Sequence, residues 1–152
     1  MKDNLAIANP VLARFAIFVG EWRWVATVGG QTIGQGSKVF AWLEGGAFLN
    51  EETESESRDF PNSIAIISGD DTLEGYCVLH SDSRSVSRIY QMSLGEGIWQ
   101  QWREAPGFWQ RFTGEFSGDS RTIRGRWESS SDGSQWERDF DLTYTKAQAK
   151  ST

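Results

Sequence analysis

The chain has 152 residues, of which 38% are hydrophobic and 24% are charged, and its net charge is −6. This length suits one domain over residues 1–152, and the acidic balance argues against a nucleic-acid partner, because such partners need a basic surface. The single cysteine, Cys77, excludes an internal disulfide. No signal peptide or membrane-spanning apolar stretch is visible, so we expect a cytoplasmic protein without a membrane span.

The first predicted element is a short helix over about residues 10–19. Asn9 can act as its N-cap, with Pro10 at the first helical position, and apolar residues then recur at helical spacing. Gly20 can end the helix, because glycine readily adopts the left-handed conformation found there. At the other end of the chain, the polar segment 146–152 is expected to be frayed.

Between residues 21 and 145, clusters of Gly, Asp, Asn and Ser separate ten runs in which apolar and polar residues alternate. This pattern predicts successive antiparallel strands joined by hairpins, and one of the predicted turns covers residues 29–36. Ten such strands leave no exposed edge if they close on themselves. We therefore predict an all-β fold, a ten-stranded antiparallel up-and-down barrel with the short helix plugging one end.

The alternation also predicts which side chains point into the barrel, because successive residues of a strand face opposite sides. It leaves the inward face of the second, fourth, fifth and seventh strands open. The residues that we predict to line an internal cavity are Arg88, Tyr90, Arg138, Tyr144, Trp22, Trp24, Trp102, Phe112 and Phe140.

Two arginines in this inward set are unusual for an apolar interior. An arginine side chain keeps its charge, so it needs an anion or several acceptors when it is buried. One interpretation is that Arg88 and Arg138 hold an anionic group of a ligand. The other is an internal ion pair, for example between Arg88 and Glu52 or Glu54.

The remaining reactive side chains do not form a recognisable site. The run EETESE (51–56) is interpreted as a solvent-exposed strand end, because no Asp or His stands at a metal-ligand spacing beside it. His80 and Cys77 are three positions apart in one strand, so they face opposite sides and cannot act as a nucleophile–base pair. We predict no metal, no cofactor and no catalytic residue.

A short helix ending in Phe-x-Gly-x-Trp, here Phe18, Gly20 and Trp22, and followed by a meander of strands, resembles the calycin superfamily of lipocalins, fatty-acid-binding proteins and nitrobindins. The segment 108–144 looks still more similar to a bacterial family of uncharacterised lipocalin-like proteins. It carries Phe-x-Gly-x-Phe at 112–116, Ile-x-Gly-x-Trp at 123–127 and Asp-Gly-x-x-Trp at 132–136.

The resemblance implies a bacterial barrel that binds a lipid or another small molecule. Fatty-acid-binding proteins hold the ligand carboxylate with Arg and Tyr, which matches the residue types of the predicted cavity. Nitrobindins hold haem iron through a His near the end of the chain, whereas the one His here, His80, lies in the fifth predicted strand. A haem-iron role is therefore not predicted.

These observations predict an intracellular binding protein that holds a small, mainly apolar ligand, with or without an anionic head group, inside a barrel that is a monomer or a homodimer. Two alternatives stay open. One is a small-molecule isomerase or lyase, which would need Glu52 or Glu104 next to Tyr90 in the cavity. The other is a barrel filled by its own side chains that acts through its surface.

Overall fold

The structure is a computed structural model that describes residues 9–70, 72 and 74–148. The described residues form a 3-10 helix, η1 (Pro10–Phe18), ten β-strands and a short 3-10 turn, η2 (Glu44–Gly46). The strands are β1 (Gly20–Val28), β2 (Gln31–Leu43), β3 (Phe48–Ser55), β4 (Ser63–Gly69), β5 (Tyr76–Asp82), β6 (Ser87–Gly95), β7 (Ile98–Arg103), β8 (Trp109–Phe116), β9 (Thr122–Ser130) and β10 (Glu137–Lys146).

The ten described strands form one closed barrel. Each strand pairs antiparallel with its neighbours in sequence, and β1 pairs antiparallel with β10 to complete the circle. This last pairing places Trp24 opposite Tyr144. Every described strand therefore has a partner on both sides, which confirms the predicted up-and-down barrel.

Helix η1 closes one end of the barrel and begins as predicted. The side chain of Asn9 accepts a hydrogen bond from the backbone N–H of Val11 at 3.2 Å, and proline occupies the first position of the helix. The hydrogen-bond pattern is that of a 3-10 helix, and it ends at Phe18, one residue before the predicted end. The helix buries the side chains of Leu12, Phe15 and Phe18 completely.

The Phe-x-Gly-x-Trp motif joins this helix to the first strand. The indole N–H of Trp22 donates to the backbone carbonyl of Phe18 at 2.8 Å, which satisfies one of the carbonyls that a helix end leaves unpaired. Between them, Gly20 has a φ of +134°, a value that side chains disfavour. The motif therefore has a structural role, in which it fixes the angle between the plug and β1.

Replacing Asn9 by Ala is expected to lower the free energy of unfolding by about 1 kcal/mol, because a helix N-cap of this kind contributes that much. The amide of Asn9 also donates to the carbonyl of Ala47 at 3.4 Å. Asn9→Asp keeps the cap but removes this donor, so it should retain most of the stability. Urea unfolding of the two variants measures the difference, and equal losses would show that the cap contributes nothing.

Strand β2 is longer than predicted, because the expected turn over residues 29–36 is confined to Gly29 and Gly30. The later glycines of this segment lie inside the strand. A Cβ atom at Gly34 would collide with the ring of Phe60, and one at Gly36 would collide with the backbone of Glu54 and lie 2.8 Å from the ring of Trp24. These glycines make room for neighbouring rings rather than for a turn.

The glycines of the closing pattern also make room for a ring. Gly114 of β8 lies opposite Gly125 of β9, and a Cβ atom at Gly125 would collide with the ring of Phe112. A Cβ atom at Gly114 would lie 3.0 Å from the same ring. The paired glycines therefore allow Phe112 to lie flat against the barrel wall, beside the cavity described below.

The final strand continues to Lys146, one residue beyond the predicted strand region. The backbone N–H of Ala147 then donates to the carbonyl of Glu21 at 2.8 Å, so the first part of the predicted frayed tail is attached to β1. Residues 149–152 of that tail lie outside the described residues. Within the described part of the chain, no helix has the length and apolar character needed to cross a membrane.

Candidate functional site

Aromatic side chains fill the half of the barrel next to η1. The ring of Phe18 is the centre of this cluster, with ring centroids 4.8 Å from Phe40, 4.9 Å from Trp99 and 5.4 Å from Phe116. Trp22, which was predicted to line the cavity, is fully buried in this half and does not line it. The protein's own side chains thus fill one half of the interior.

The other half contains a partly open cavity of about 160 Å³. All ten strands and the β3–β4 loop (56–62) contribute to its lining. Five of the nine predicted cavity residues line it, namely Trp24, Tyr90, Phe112, Phe140 and Tyr144. Trp99 and Trp127 add two further rings, so the wall is mainly aromatic. Whether these residues bind a ligand stays a prediction.

The β3–β4 loop covers the cavity with the ring of Phe60. Its centroid lies 5.6 Å from that of Trp24 and 5.3 Å from that of Phe140, both in edge-to-face geometry. The base of the loop is tied to the strands by Asn62, whose side chain accepts from the backbone N–H of Ser55 at 2.8 Å. The ring of Phe60 therefore forms part of the aromatic wall although it does not belong to a strand.

A buried ion pair lies in the wall of the cavity. The ammonium group of Lys38 on β2 donates to the carboxylate of Glu51 on β3, and both residues are 8% exposed. Lys38 Nζ also donates to the hydroxyl oxygen of Tyr144 on β10, at 3.3 Å. Opposite charges of this kind compensate each other in a low-dielectric interior, so the trio carries no net charge.

The electrostatics of the trio keep both the lysine and the tyrosine protonated at neutral pH. Burial by itself lowers the pKa of Lys38, but the charge of Glu51 and the hydrogen bonds to Glu51 and Tyr144 outweigh it, and the pKa is raised above its ordinary value. Burial raises the pKa of Tyr144, and the opposing effect of Lys38 does not reverse this. The side chains therefore present an ammonium, a carboxylate and a neutral phenol.

Two polar groups of the lining residues have no hydrogen-bond partner among the described residues. The indole N–H of Trp99 and the hydroxyl of Thr53 are fully buried and unpaired. Gln101, which is 8% exposed, adds a side-chain amide to the lining. Buried polar groups are normally paired, so a lining with these groups suits a ligand that is itself partly polar.

Arg88 lies beside the cavity and does not form the ion pair considered from the sequence. Its guanidinium donates to the side-chain oxygen of Gln110 at 3.0 Å, and the hydroxyl of Tyr90 donates to the same oxygen at 3.1 Å. The guanidinium carbon also lies 5.4 Å from the ring centre of Phe108. Glu52 and Glu54, the acids proposed as its partners, are exposed on the outside of the barrel.

Arg138 does not point into the barrel, so its predicted role as a cavity residue is wrong. The pairing of β10 with β9 shifts between Arg138 and Phe140, and this bulge places the two residues on different faces although they are two positions apart. The side chain of Arg138 is 51% exposed, and it lies 3.9 Å from a carboxylate oxygen of Asp141.

Trp102 is also outside the cavity, against the prediction. Strand β7 carries tryptophans at positions 99 and 102, and this odd spacing allows one of them to face inward. The structure buries Trp99 and Gln101, so Trp102 is directed to the outer surface, where it is half-buried. The sequence had left the inward face of this strand open, and the choice of Trp102 as a cavity residue was wrong.

His80 lines the cavity, a position that the sequence left open. Its Nε2 atom is 3.0 Å from a carboxylate oxygen of Asp82, which also accepts from the guanidinium of Arg84 at 2.7 Å. Burial raises the pKa of Asp82, but the hydrogen bonds from Arg84 and His80 outweigh it and hold the pKa well below its usual range. The imidazole of His80 is therefore hydrogen-bonded to the ionised carboxylate of Asp82, the last residue of β5.

Sequence reasoning missed the two most deeply buried charges of the site, Lys38 and Glu51. Glu51 belongs to the acidic run 51–56, whose other glutamates are exposed as predicted. The alternation of β3 could have predicted that Glu51 is buried, because Glu51 stands two positions after the apolar Leu49 and so shares its face of the strand. Glu52 and Glu54 lie on the opposite face. In β2, Lys38 lies on the same face of the strand as Phe40 and as Gly34 and Gly36, the glycines that make room for neighbouring rings.

The cavity lacks the arrangement that the enzyme alternative required. Glu52 and Glu104 are both exposed, so neither can reach Tyr90 as a general base. Among the described residues there is also no group of three or more His, Cys, Asp or Glu side chains that could hold a metal ion. In the described lining Glu51 is the single acidic side chain, and its carboxylate already accepts a hydrogen bond from Lys38.

Comparisons with protein families and with curated proteins find no match to this chain. A solved structure, that of Rv2717c from M. tuberculosis, is similar in fold, with a TM-score of 0.65 and 10% sequence identity. The similarity covers 94% of this chain and 100% of that one. At this identity the likeness concerns the barrel fold, and it supports the predicted architecture without extending to the activity.

Proposed function

We propose that this protein is a calycin-like binding protein that holds a small, mainly apolar molecule inside its barrel. The observation that carries the proposal is the cavity itself, because about 160 Å³ of space remains in an interior whose other half is filled with rings. Protein interiors are normally close-packed, and a cavity of this size lined by both rings and unpaired polar groups is suited to a ligand.

The volume of the cavity indicates the size of the ligand. Pockets for drug-sized molecules measure about 300–1,000 Å³, whereas a cavity of about 150 Å³ accepts a single benzene ring. The cavity here, at about 160 Å³, is therefore matched by one ring with a small substituent. The aromatic wall favours a ring as well, through offset and edge-to-face contacts.

The calycin assignment belongs to the same proposal. The Phe-x-Gly-x-Trp motif and the plug helix support it, and the bacterial lipocalin-like family is the group that the closing pattern resembles. A cytoplasmic location is part of the same proposal. A catalytic function is not part of the proposal, because Glu52 and Glu104, the bases that the enzyme alternative required, are exposed.

Filling the cavity is expected to abolish binding. Thr53→Phe adds a ring from β3 into the cavity and removes an unpaired hydroxyl, so it should fold normally and lose at least tenfold in affinity for indole or toluene. Thr113→Phe adds the same ring on the exposed face of β8 and is the matched control.

Binding can be followed by tryptophan fluorescence, because Trp24, Trp99 and Trp127 line the cavity. Native mass spectrometry of protein purified from its host should also show a retained small molecule that Thr53→Phe lacks. Equal binding by the Thr53→Phe and Thr113→Phe variants would place the ligand elsewhere and contradict the proposal.

A further inference from the structure

We infer that the ligand of this cavity is an uncharged single-ring compound with a carbonyl-type oxygen that accepts a hydrogen bond from the hydroxyl of Tyr144. The inference rests on the proposed function and adds the chemical class of the ligand. Three features support it: the charge balance of the lining, the direction of the hydrogen bond between Lys38 and Tyr144, and the unpaired donors nearby.

In the described lining the two basic side chains already have acidic partners, Glu51 for Lys38 and Asp82 for His80. Lys38 is paired with Glu51, and both are nine-tenths buried. Arg138 lies on the outside of the barrel, and Arg88 is not part of the lining. A carboxylate in this cavity would be buried without a counter-ion, which is costly in an apolar environment. A neutral ligand avoids this cost.

The hydroxyl of Tyr144 is arranged to donate. Its oxygen accepts from Lys38 Nζ at 3.3 Å, so the proton of the phenol is left for another acceptor, and none is present among the described residues. A hydroxyl that accepts from a cation becomes a stronger donor, because hydrogen bonds in a chain polarise one another. A carbonyl oxygen in the cavity is the natural acceptor for it.

Two further groups indicate the same ligand chemistry. The indole of Trp99 can donate but cannot accept, and its N–H has no acceptor within the described residues. The amide of Gln101, which also lines the cavity, can pair with both a carbonyl and an N–H group. An aromatic amide presents a ring, an acceptor and a donor within the volume available, so it represents the proposed class well.

Three probes of nearly equal size separate the possibilities. Benzamide is neutral and has the acceptor, benzoate is its anionic counterpart, and toluene is a ring of similar size without an acceptor. We expect benzamide to bind at least tenfold more tightly than benzoate. We also expect Tyr144→Phe to weaken benzamide by about 3- to 10-fold, the effect of one hydrogen bond, and to leave toluene unchanged.

Tyr76→Phe is the matched control, because Tyr76 does not line the cavity and its hydroxyl donates to the backbone carbonyl of Val11 at 3.0 Å. It should not alter the ratio of benzamide to toluene affinity. Thermal melting of both variants shows whether they are folded, and toluene binding by Tyr144→Phe shows that its cavity persists.

Three results would overturn the inference while leaving the proposed function intact. They are toluene binding without any effect of Tyr144→Phe on benzamide, an equal loss of benzamide affinity in Tyr76→Phe, and tighter binding of benzoate than of benzamide. Sensitivity of benzoate binding to Arg88→Met would then identify Arg88 as an anion anchor. Failure of all three probes to bind the unmodified protein would instead contradict the proposed function itself.

Discussion

Replacing Glu51 by Leu is expected to lower the free energy of unfolding by about 3–5 kcal/mol. The substitution leaves the ammonium of Lys38 buried among aromatic side chains with the hydroxyl of Tyr144 as its remaining partner. Removing one member of a buried pair is costly because the other member keeps its desolvation penalty and loses the attraction that offset it. Urea unfolding at neutral pH measures the loss.

The double variant Lys38→Met/Glu51→Leu is the control that separates the pair from the packing. Replacing both charges by apolar side chains of similar size removes the desolvation penalty together with the attraction, so its stability should be close to that of the unmodified protein. If the double variant is as unstable as the single one, the loss comes from disturbed packing and the electrostatic explanation is wrong.

The stability of the single variant Glu51→Leu should depend on pH differently from the stability of the unmodified protein. In the unmodified protein the pKa of Lys38 is raised, so its contribution to stability is complete below the ordinary lysine value of 10.5 and is lost as the pH rises through the folded-state pKa. Without Glu51, burial dominates and lowers the pKa of Lys38 in the folded state. The unfolded chain then binds more protons, so the stability of Glu51→Leu should increase between about pH 7 and about pH 9.5.

The unmodified protein provides the reference for this measurement, because Lys38 adds no increase to its stability over the same range. A decrease in the stability of Glu51→Leu toward high pH, parallel to the reference, would contradict the assignment of Lys38 as a buried cation.

Phe18→Ala is expected to lower the free energy of unfolding by about 3–5 kcal/mol, the usual range for truncating a buried phenylalanine. The ring of Phe18 is completely buried and lies within 5.4 Å, between ring centroids, of Phe40, Trp99 and Phe116. Its loss leaves a cavity in the filled half of the barrel and removes the main attachment of η1 to the strands. Urea unfolding should show the loss.

Phe108→Ala is the comparison for this prediction, because Phe108 is 40% exposed at the other end of the barrel. It should change the free energy of unfolding by less than about 1 kcal/mol. The cavity is lined without any residue of η1, so Phe18→Ala should still bind toluene where it remains folded. A small effect of Phe18→Ala would mean that the rings around it rearrange to fill the space.

The barrel could be predicted because its determinants are local in sequence. The turn residues between the strands and the cap at Asn9 specify where each element begins and ends, and antiparallel hairpins follow from their order. The Phe-x-Gly-x-Trp motif is local as well, since its one hydrogen bond joins Phe18 to Trp22. Features of this kind do not depend on knowing which residues meet across the barrel.

The site was predicted less completely because it depends on strand faces and on pairing between distant residues. Arg138 was assigned inward because the alternation of β10 was assumed to be unbroken, and a bulge beside Phe140 changes it. In β2, apolar residues occupy both faces around Lys38, so alternation alone could not assign it. Its partnership with Tyr144 joins β2 to β10 across β1, and no local pattern encodes that contact.

The ring of Phe60 has a consequence for the rate of ligand exchange. Of the residues that line the cavity, Phe60 and its neighbour Pro61 are the two that lie in a loop, while all the others are held in the hydrogen-bonded wall. A molecule can pass this point by displacing one side chain and a short loop, without opening a strand pair. For the proposed ligand, we expect the residence time to depend on the β3–β4 loop and the affinity to depend on the strands.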